Sequence, residues 1–364
     1  MISFALTDEQ ASARDAMQGF AGDVLRPMAR DYDEAAAIPA EFFQQAWELG
    51  LTATQIPESY GGYGAERSPV TNAIVLEELA HGDATLAIAA LAPSLFANAV
   101  ADQGSDEQKR EYLPAFCGEK FHTGSLALNE PTPGFDPAAP RATAEKKGSG
   151  YSLRGEKCFV PLGDTAAHFL VVARGEQGLD AFIVPRDASG LTITEVEKNL
   201  GLKALATNGL RLDGVEVAPE QRLGGPAGAD VQRIVNQSRV AIAAILTGVS
   251  RAVLDYCVPY SKERVAFDEP IAKKQSIAFR LSDMQIECNA MRHLVWQGAS
   301  QLEQGLDATR TARFVKTYVA EKALWIADNG IQVLGGHGFI REHPVEMWFR
   351  HVRTLGVLEG TVGV

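Results

Sequence analysis

Three clusters along the chain carry side chains able to do chemistry. Asn129-Glu130-Pro131-Thr132-Pro133-Gly134 sets a carboxylate in a proline-rich turn. Arg264-Val265-Ala266-Phe267-Asp268-Glu269-Pro270-Ile271, with Gln275 beyond, offers a guanidinium that can grip an anion through two N–H groups. Gln332-Val333-Leu334-Gly335-Gly336-His337-Gly338-Phe339 supplies glycines that let a ligand come close to backbone. It is followed by Leu358-Glu359-Gly360-Thr361, whose carboxylate could accept a proton. Taken singly, each has a plainer explanation: a polar turn, a connection between helices, a helix C-cap and an exposed carboxylate. Other chemistries find less support. The seven histidines make no HExxH and no i, i+4 pair, which disfavours a metal site. Ser125 and Ser238 lie outside any GxSxG. Gly335-Gly336-His337-Gly338 is not GxGxxG and follows a helical pattern, against a doubly wound dinucleotide fold. Cys117, Cys158, Cys257 and Cys288 never form a CxxC pair and read as reduced thiols.

The elements that must position these clusters fall into three blocks. Residues 1–120 read as helices. Thr7 with Gln10 makes a capping box for a helix running to Phe20, and a second helix spans about Pro39 to Leu49, stopped by Gly50. Ser68-Pro69 opens a helix to about His81, and Ser105 with Gln108 repeats the capping box before Pro114 closes that element. Residues 121–225 change texture, with short apolar runs such as Phe169–Ala173, Ala181–Val184 and Leu191–Thr194 punctuated by Gly148, Gly150, Gly155, Gly178 and Gly190. They predict an all-β module, a barrel or sandwich. Residues 226–364 return to helical spacing. Ile242, Ile245, Leu246, Val249 and Val253 mark one helix, which Pro259 is expected to end or kink. Ile277, Leu281, Met284, Cys288, Met291 and Val295 mark a second, and Val315, Val319, Ala323 and Ile326 a third. The fold class is therefore α+β and multidomain, with a helical N-terminal domain, a central β domain and a C-terminal helical bundle.

Composition narrows the classes further. In 364 residues, 34 Lys+Arg against 46 Asp+Glu leave a net charge of −12, which argues against a sequence-independent nucleic-acid binder. The most apolar stretch, Leu86 to Val100, is interrupted by Pro93, Ser94 and Asn98, so no membrane span is expected. The start, Met1 to Glu9, lacks a basic region before an apolar core, so a cytoplasmic protein without signal peptide is expected.

The order and spacing of the three clusters, together with the helix–β–helix plan, resemble the acyl-CoA dehydrogenase family over essentially the whole chain. The resemblance implies that family's helical N-domain, central β domain and C-terminal four-helix bundle, and FAD as cofactor. Its Thr-Glu-Pro segment, which lines the flavin, is similar to Asn129-Glu130-Pro131, with Leu126 and Leu128 just before it. Its Trp-Ile-Thr segment is similar to Phe159-Val160-Pro161. Arg264, Phe267, Pro270 and Gln275 match Arg-x-x-Phe-Gly-x-Pro with its later glutamine, and Gln332, Gly335, Gly336 and Gly338 match Gln-x-x-Gly-Gly-x-Gly. By the resemblance these last two motifs reach the adenine and pyrophosphate end of FAD bound mainly by a neighbouring subunit, which implies a dimer or tetramer. Glu359-Gly360-Thr361 matches the Glu-Gly-Thr that supplies the base, and Arg239, with Asn236, falls beside the acyl-CoA pocket.

The implied reaction is α,β-dehydrogenation of an acyl-CoA or other acyl thioester. Glu359 would take the α proton, flavin N5 the β hydride, and an electron-transfer flavoprotein the electrons. A dry pocket would strengthen the carboxylate as a base, and the Glu359 amide would bind the thioester carbonyl. This chain departs from the family pattern at several places. Asn129 and Pro161 stand where threonines usually touch the isoalloxazine, and Pro161 has no N–H to donate. Phe159 replaces a tryptophan, Phe135 sits at a usual serine that contacts the CoA arm, and Asp268 replaces a glycine. Relatives normally continue into a further helix beyond this Glu-Gly-Thr. Two alternatives therefore stand beside the dehydrogenase: a flavin monooxygenase or oxidase on the same fold, and a non-catalytic acyl-thioester-binding or assembly subunit.

Overall fold

The computed structural model describes residues 5–64, 67–176 and 178–364, so the beginning of the chain, residues 1–4, lies outside the described residues. The first block is helical: α1 (Asp8–Phe20), α2 (Arg26–Ala35), α3 (Ala40–Trp47), α4 (Pro69–Gly82), α5 (Ala84–Gln103) and α6 (Asp106–Tyr112). Both capping boxes form, Thr7 with Gln10 and Ser105 with Gln108, each side chain satisfying the other's backbone N–H. A five-residue π turn, Ala21–Leu25, joins α1 to α2.

Contrary to the sequence expectation, Pro93 does not interrupt the apolar stretch. The helix α5 runs through it, buried from Ala84 to Val100, because packing on every side compensates the one backbone hydrogen bond proline removes. Two helices, Ala84–Gln103 and Val231–Glu263, are long and apolar enough to cross a membrane, but 94% and 83% of their most apolar windows lie inside the protein.

Seven strands follow: β1 (Gly124–Ala127), β2 (Thr143–Lys147), β3 (Gly150–Pro161), β4 (His168–Gly175), β5 (Gly178–Pro185), β6 (Leu191–Val196) and β7 (Thr207–Val217). They form a single curled sheet in the order β1-β4-β2-β3-β7-β6, with β5 also on β4. The expected barrel or sandwich thus resolves into one sheet wrapped around Val160, Phe169, Phe182, Leu210 and Leu212. The pairing that matters for the site is β1 on β4, parallel, with Leu126 opposite Leu170. It fixes the end of β1, and the Leu128-Asn129-Glu130 segment after it, against the helices.

The last block holds α7 (Val231–Glu263), α8 (Gln275–Glu303), α9 (Thr309–Leu334) and the shorter α10 (Val345–Leu355), with a two-residue hairpin, β8 (Val265–Ala266) and β9 (Glu269–Pro270), between α7 and α8. Pro259 sits inside α7, which continues to Glu263, so it does not end that helix. The helical N- and C-terminal blocks share one apolar core, from Leu25 and Leu79 to Ile245, Val319 and Trp348. Gly248 makes this close approach possible, since a Cβ there would lie 2.2 Å from the Glu77 carbonyl of α4.

Candidate active site

Glu359 stands in the turn after α10 and is only 8% exposed. The end of β1 and the N-terminal thirds of α7 and α9 converge on it. The Asn129 side-chain amide closes on both backbone groups of this one residue. Its Nδ2 donates to the Glu359 carbonyl, and the Glu359 N–H donates to its Oδ1 at 3.1 Å. The next N–H, of Gly360, donates to Ser238 Oγ at 2.9 Å. Gly360 has φ +69°, and a Cβ there would meet Leu128 Cβ at 2.9 Å and Leu126 Cδ2 at 3.1 Å. Only glycine lets the segment press onto the strand end in that conformation.

The carboxylate of Glu359 faces cations. Arg239 Nε donates to its two oxygens at 3.1 and 3.3 Å, and Lys316 Nζ lies 3.6 Å from Oε1. Burial pushes the Lys316 ammonium below its ordinary pKa; Glu359 pulls it back up and Arg239 pushes it down further. Thr361, beside them, is buried with a hydroxyl that has no hydrogen-bond partner among the described residues. An orphaned buried hydroxyl of this kind fits a polar ligand group against the segment.

The β-domain side of the site is built on a buried ion pair. Glu130 accepts from Lys157 Nζ at 2.9 Å and from the N–H groups of Arg141 and Ala142 at 2.7 and 2.9 Å. Burial works against the Glu130 carboxylate, yet Lys157 and the two amides together hold its pKa below the usual carboxylate range. Burial also lowers the Lys157 ammonium, against the attraction of Glu130. The Asn129 carbonyl accepts from the Cys158 N–H at 2.9 Å, which ties the motif to β3. There the β3–β7 ladder is irregular between Lys157 and Val160, and Phe159 takes φ +51°, its N–H on the Glu197 carboxylate at 3.1 and 3.2 Å. Val160 is buried, and the Pro161 carbonyl accepts from the Ser125 hydroxyl. Phe135 is half-buried over the cluster that contains Leu126 and Leu128.

The other motifs gather elsewhere. Arg264, Phe267, Gln332 and Gly335 line one cavity of 240 Å³, walled also by Lys274 and Ser276 on either side of Gln275. Gly335 has φ +59°, and a Cβ on Gly335 or Gly336 would meet nothing within 4 Å, so open space lies over this turn. Phe267 and Asp268, at φ +54° and +65°, form the tip of the β8–β9 hairpin, and Phe267 is 90% exposed. Arg239 and Tyr260, which lines this cavity, are 260 − 239 = 21 residues apart on α7. At 1.5 Å per residue the two sites are about 32 Å apart along the helix.

Three expectations need correction. The Glu359 amide, expected to bind a thioester carbonyl, is taken by Asn129, because a side-chain amide carries its donor and its acceptor on two separate atoms and can span a whole peptide where the single oxygen of a threonine cannot. The Glu359 carboxylate, expected to lie in a dry pocket that strengthens it as a base, is instead paired with Arg239 and Lys316. Asn236 spends its amide on Gln232 and Thr309 and lines a different cavity, of 250 Å³, with Asp230, Arg233 and Asp307.

Lys316 and Lys157 had not been singled out, and Ser238 had been weighed only as a nucleophile. Both lysines left a signal. Lys316 is four residues after buried Ala312 and three before buried Val319, a lysine on the core-facing stripe of α9. Lys157 falls on the inward alternation of β3 with Leu153.

Comparison with known proteins bears on the family and the fold. The family models "Acyl-CoA dehydrogenase, N-terminal domain", "middle domain" and "C-terminal domain" match residues 7–120, 125–215 and 228–364. An acyl-CoA dehydrogenase of Bacillus subtilis is 33% identical over 365 residues, covering 98% of this chain and 95% of that protein. Butyryl-CoA dehydrogenase from Megasphaera elsdenii superposes with a TM-score of 0.89 at 30% identity, covering 99% of this chain and 96% of that one. A glutaryl-CoA dehydrogenase from Mycobacterium smegmatis in complex with FADH2 gives 0.86 at 26% identity, covering 98% and 92%.

Proposed function

Because the chain belongs to the acyl-CoA dehydrogenase family and is an oxidoreductase whose cofactor is FAD, we propose that it desaturates an acyl thioester between the α and β carbons, with Glu359 as the base. FAD, when bound, supplies the acceptor for the hydride leaving the β carbon. The α proton passes to a Glu359 carboxylate oxygen, and the electron pair of the broken α C–H bond forms the new double bond. The observation that carries this reading is the placement of Glu359, a buried carboxylate whose peptide is clipped to Asn129 while its charge faces Arg239 and Lys316. Taking up the proton cancels that charge and loosens the pair, so the two cations act as holders of the resting base.

Leu126, Leu128 and Thr361 form the wall that FAD would lie against, with Phe159, Val160 and Pro161 at the end of β3. Arg264, Phe267, Gln275, Gln332, Gly335 and Gly336 would hold the far end of an FAD belonging to another copy of the chain. The separation of about 32 Å along α7 supports this sharing, and with it a homo-oligomer, dimer or tetramer. An electron-transfer flavoprotein is the proposed acceptor. The oxygen-using and non-catalytic alternatives are not favoured, since the relatives named above are dehydrogenases.

The direct test is Glu359→Gln. The variant should keep its flavin spectrum yet fail to bleach when acyl-CoA is added anaerobically, because a neutral amide does not accept the proton. Bleaching at the wild-type rate would remove Glu359 from the mechanism.

A further inference from the structure

Of the seven histidines only His351, on α10, is buried, 1% exposed where the three blocks of the chain meet. Its two ring nitrogens face different blocks. Nδ1 accepts from the Leu202 N–H at 2.9 Å, in the loop between β6 and β7. Nε2 lies 3.4 Å from Thr85 Oγ1 and 3.5 Å from Asp83 Oδ2, at the start of α5. Three residues along α10, Thr354 Oγ1 accepts from the Gly201 N–H at 3.0 Å and donates to the Arg350 carbonyl. The loop can press this close only at a glycine, since a Cβ on Gly201 would lie 2.1 Å from the Arg350 carbonyl.

These partners fix the state of the ring. A nitrogen that accepts from an N–H carries no proton, so His351 is neutral with its hydrogen on Nε2. On that side the pairing is incomplete. Asp83 Oδ1 accepts from the Leu86 N–H and caps α5, whereas Asp83 Oδ2 is buried with no hydrogen-bond partner among the described residues. A second proton on the ring reverses its preference. An Nδ1–H would face the Leu202 N–H, donor against donor, while the imidazolium would have the unmet Asp83 oxygen beside it.

The loop that His351 holds leads to the other wall of the site. Glu197, 202 − 197 = 5 residues before Leu202, accepts from the Phe159 N–H at 3.1 and 3.2 Å and from the Thr207 hydroxyl at 2.8 Å. In the other direction α10 ends at Leu355 and the Glu359 turn follows. The helix thus has the base at its end and the support of Phe159 on its flank. The remaining charges near the ring are already paired. Asp33 of α2 is held by Arg350 at 2.6 Å and Lys203 at 3.6 Å, and Glu346 by Arg350 and Arg30. Arg26, also on α2, acts on Asp83 and on Asp255, the partner of His81.

Resting on the reading of Glu359 as the base and of Phe159 as part of the flavin wall, we propose that His351 is a positioning residue that keeps the two in register and releases them in acid. Neutral, it latches the β6–β7 loop to α10. When Nδ1 takes a proton from water, the ring passes from Leu202 to Asp83, and the loop that carries Glu197 comes free of the helix. His351 touches neither the thioester nor the cofactor in this scheme and acts through Leu202 and Glu197. Activity is therefore lost in acid for a reason separate from protonation of the base itself.

The test is hydrogen exchange on the FAD-loaded protein, followed by mass spectrometry on a peptide spanning residues 198–206 and corrected for the intrinsic rate at each pH. In the unaltered protein, protection of this peptide should fall about 10- to 100-fold between about pH 8 and pH 5, with α8 unchanged. His351→Asn keeps an acceptor for the Leu202 N–H but does not titrate, so its protection should be the same at both ends. Asp83→Asn still caps α5 but no longer attracts the imidazolium, so the fall should move to lower pH. In anaerobic bleaching by acyl-CoA, kcat should drop less on acidification in His351→Asn than in wild type, with KM changing alike in both. Wild-type protection that stays constant overturns the proposal, as does a fall that is equal in His351→Asn or unshifted in Asp83→Asn, and each of these leaves Glu359 as the base. If no acyl-CoA bleaches the flavin at any pH, the reaction assigned to Glu359 fails. Exchange then decides the latch alone: a fall confined to proteins that keep His351 upholds it, and any other pattern ends it.

Discussion

Replacing Asn129 with alanine removes a clip rather than a charge, and its effect can be worked out from two contacts. The side chain satisfies both the N–H and the carbonyl of Glu359, which are buried between β1 and the helices. Each backbone group left without a partner costs about 1–3 kcal/mol, so the pair amounts to roughly 2–6 kcal/mol borne by the turn that holds the base. The turn can recover this only by opening to water. At the lower end, about 2 kcal/mol, local opening becomes about 30-fold more frequent, since roughly 1.4 kcal/mol is a factor of ten. Hydrogen exchange followed by mass spectrometry on a peptide spanning residues 356–364 should therefore accelerate at least that much, with exchange in α8 unchanged. The rate of anaerobic bleaching by acyl-CoA should fall about 10- to 100-fold, the usual cost of a catalytic group displaced by an ångström or so. Asn129→Thr keeps an acceptor for the Glu359 N–H but cannot reach both groups, so it should fall between. If the 356–364 peptide of Asn129→Ala exchanges as slowly as wild type, the clip does not hold the turn and the placement of Glu359 must have another cause.

Lys157→Met leaves Glu130 buried without its counter-ion, so it should destabilise the protein by about 3–5 kcal/mol in urea unfolding; an unchanged midpoint would show the pair to be dispensable. Burial opposes the Asp33 carboxylate, but hydrogen bonds from Arg350 at 2.6 and 3.0 Å, with the charges of His351, Arg350 and Lys203, hold its folded pKa below its unfolded value. Its contribution is thus present above the unfolded pKa near 4 and lost as pH falls through the lower folded value, so between pH 5 and 3 the thermal midpoint should drop more in wild type than in Asp33→Asn, and parallel curves would contradict the assignment. Arg264→Ala should weaken FAD retention and the oligomer together, measured by flavin loss on dialysis and by sedimentation, and unchanged FAD affinity would remove Arg264 from the shared site.

Periodicity made most of the fold legible, because the capping boxes, the Gly/Pro-punctuated β segment and the bundle stripes are local signals that tertiary packing reinforces. Two prolines are accommodated without ending an element, Pro93 and Pro259. Both prolines sit inside helices, where packing along α5 and α7 outweighs the lost hydrogen bond. Arg264, Phe267, Gln332 and Gly335 meet at one cavity because the C-terminal ends of α7 and α9 lie side by side there, with the hairpin after α7 between them. Periodicity could not place Lys316 against Glu359, or Thr52 against Ser94, since those meetings depend on how α9 and α5 are rotated within their layers. Nor could it tell what Asn129 does, because one side chain in a turn reads the same whether it faces a ligand or a neighbouring peptide.

Asn129 and Pro161, the two departures at the flavin-lining positions, share a physical consequence. The amide of Asn129 is consumed by the Glu359 peptide, and the carbonyl of Pro161 by the Ser125 hydroxyl, so both positions turn their polar groups inward to the protein. Pro161 has no N–H to add. Among the described residues of this wall, Thr361 keeps a buried hydroxyl without a partner. With few hydrogen bonds to offer the ring system from these positions, the proposed placement of FAD would leave more of its hold to packing by Leu126, Leu128 and Phe159 and to the distant cavity around Arg264. Arg264→Ala is therefore a sharper test of cofactor retention in this chain than substitution at Asn129. If Asn129→Ala strips the flavin while Arg264→Ala keeps it, the division of labour runs the other way, and Asn129 must release Glu359 to bind the cofactor.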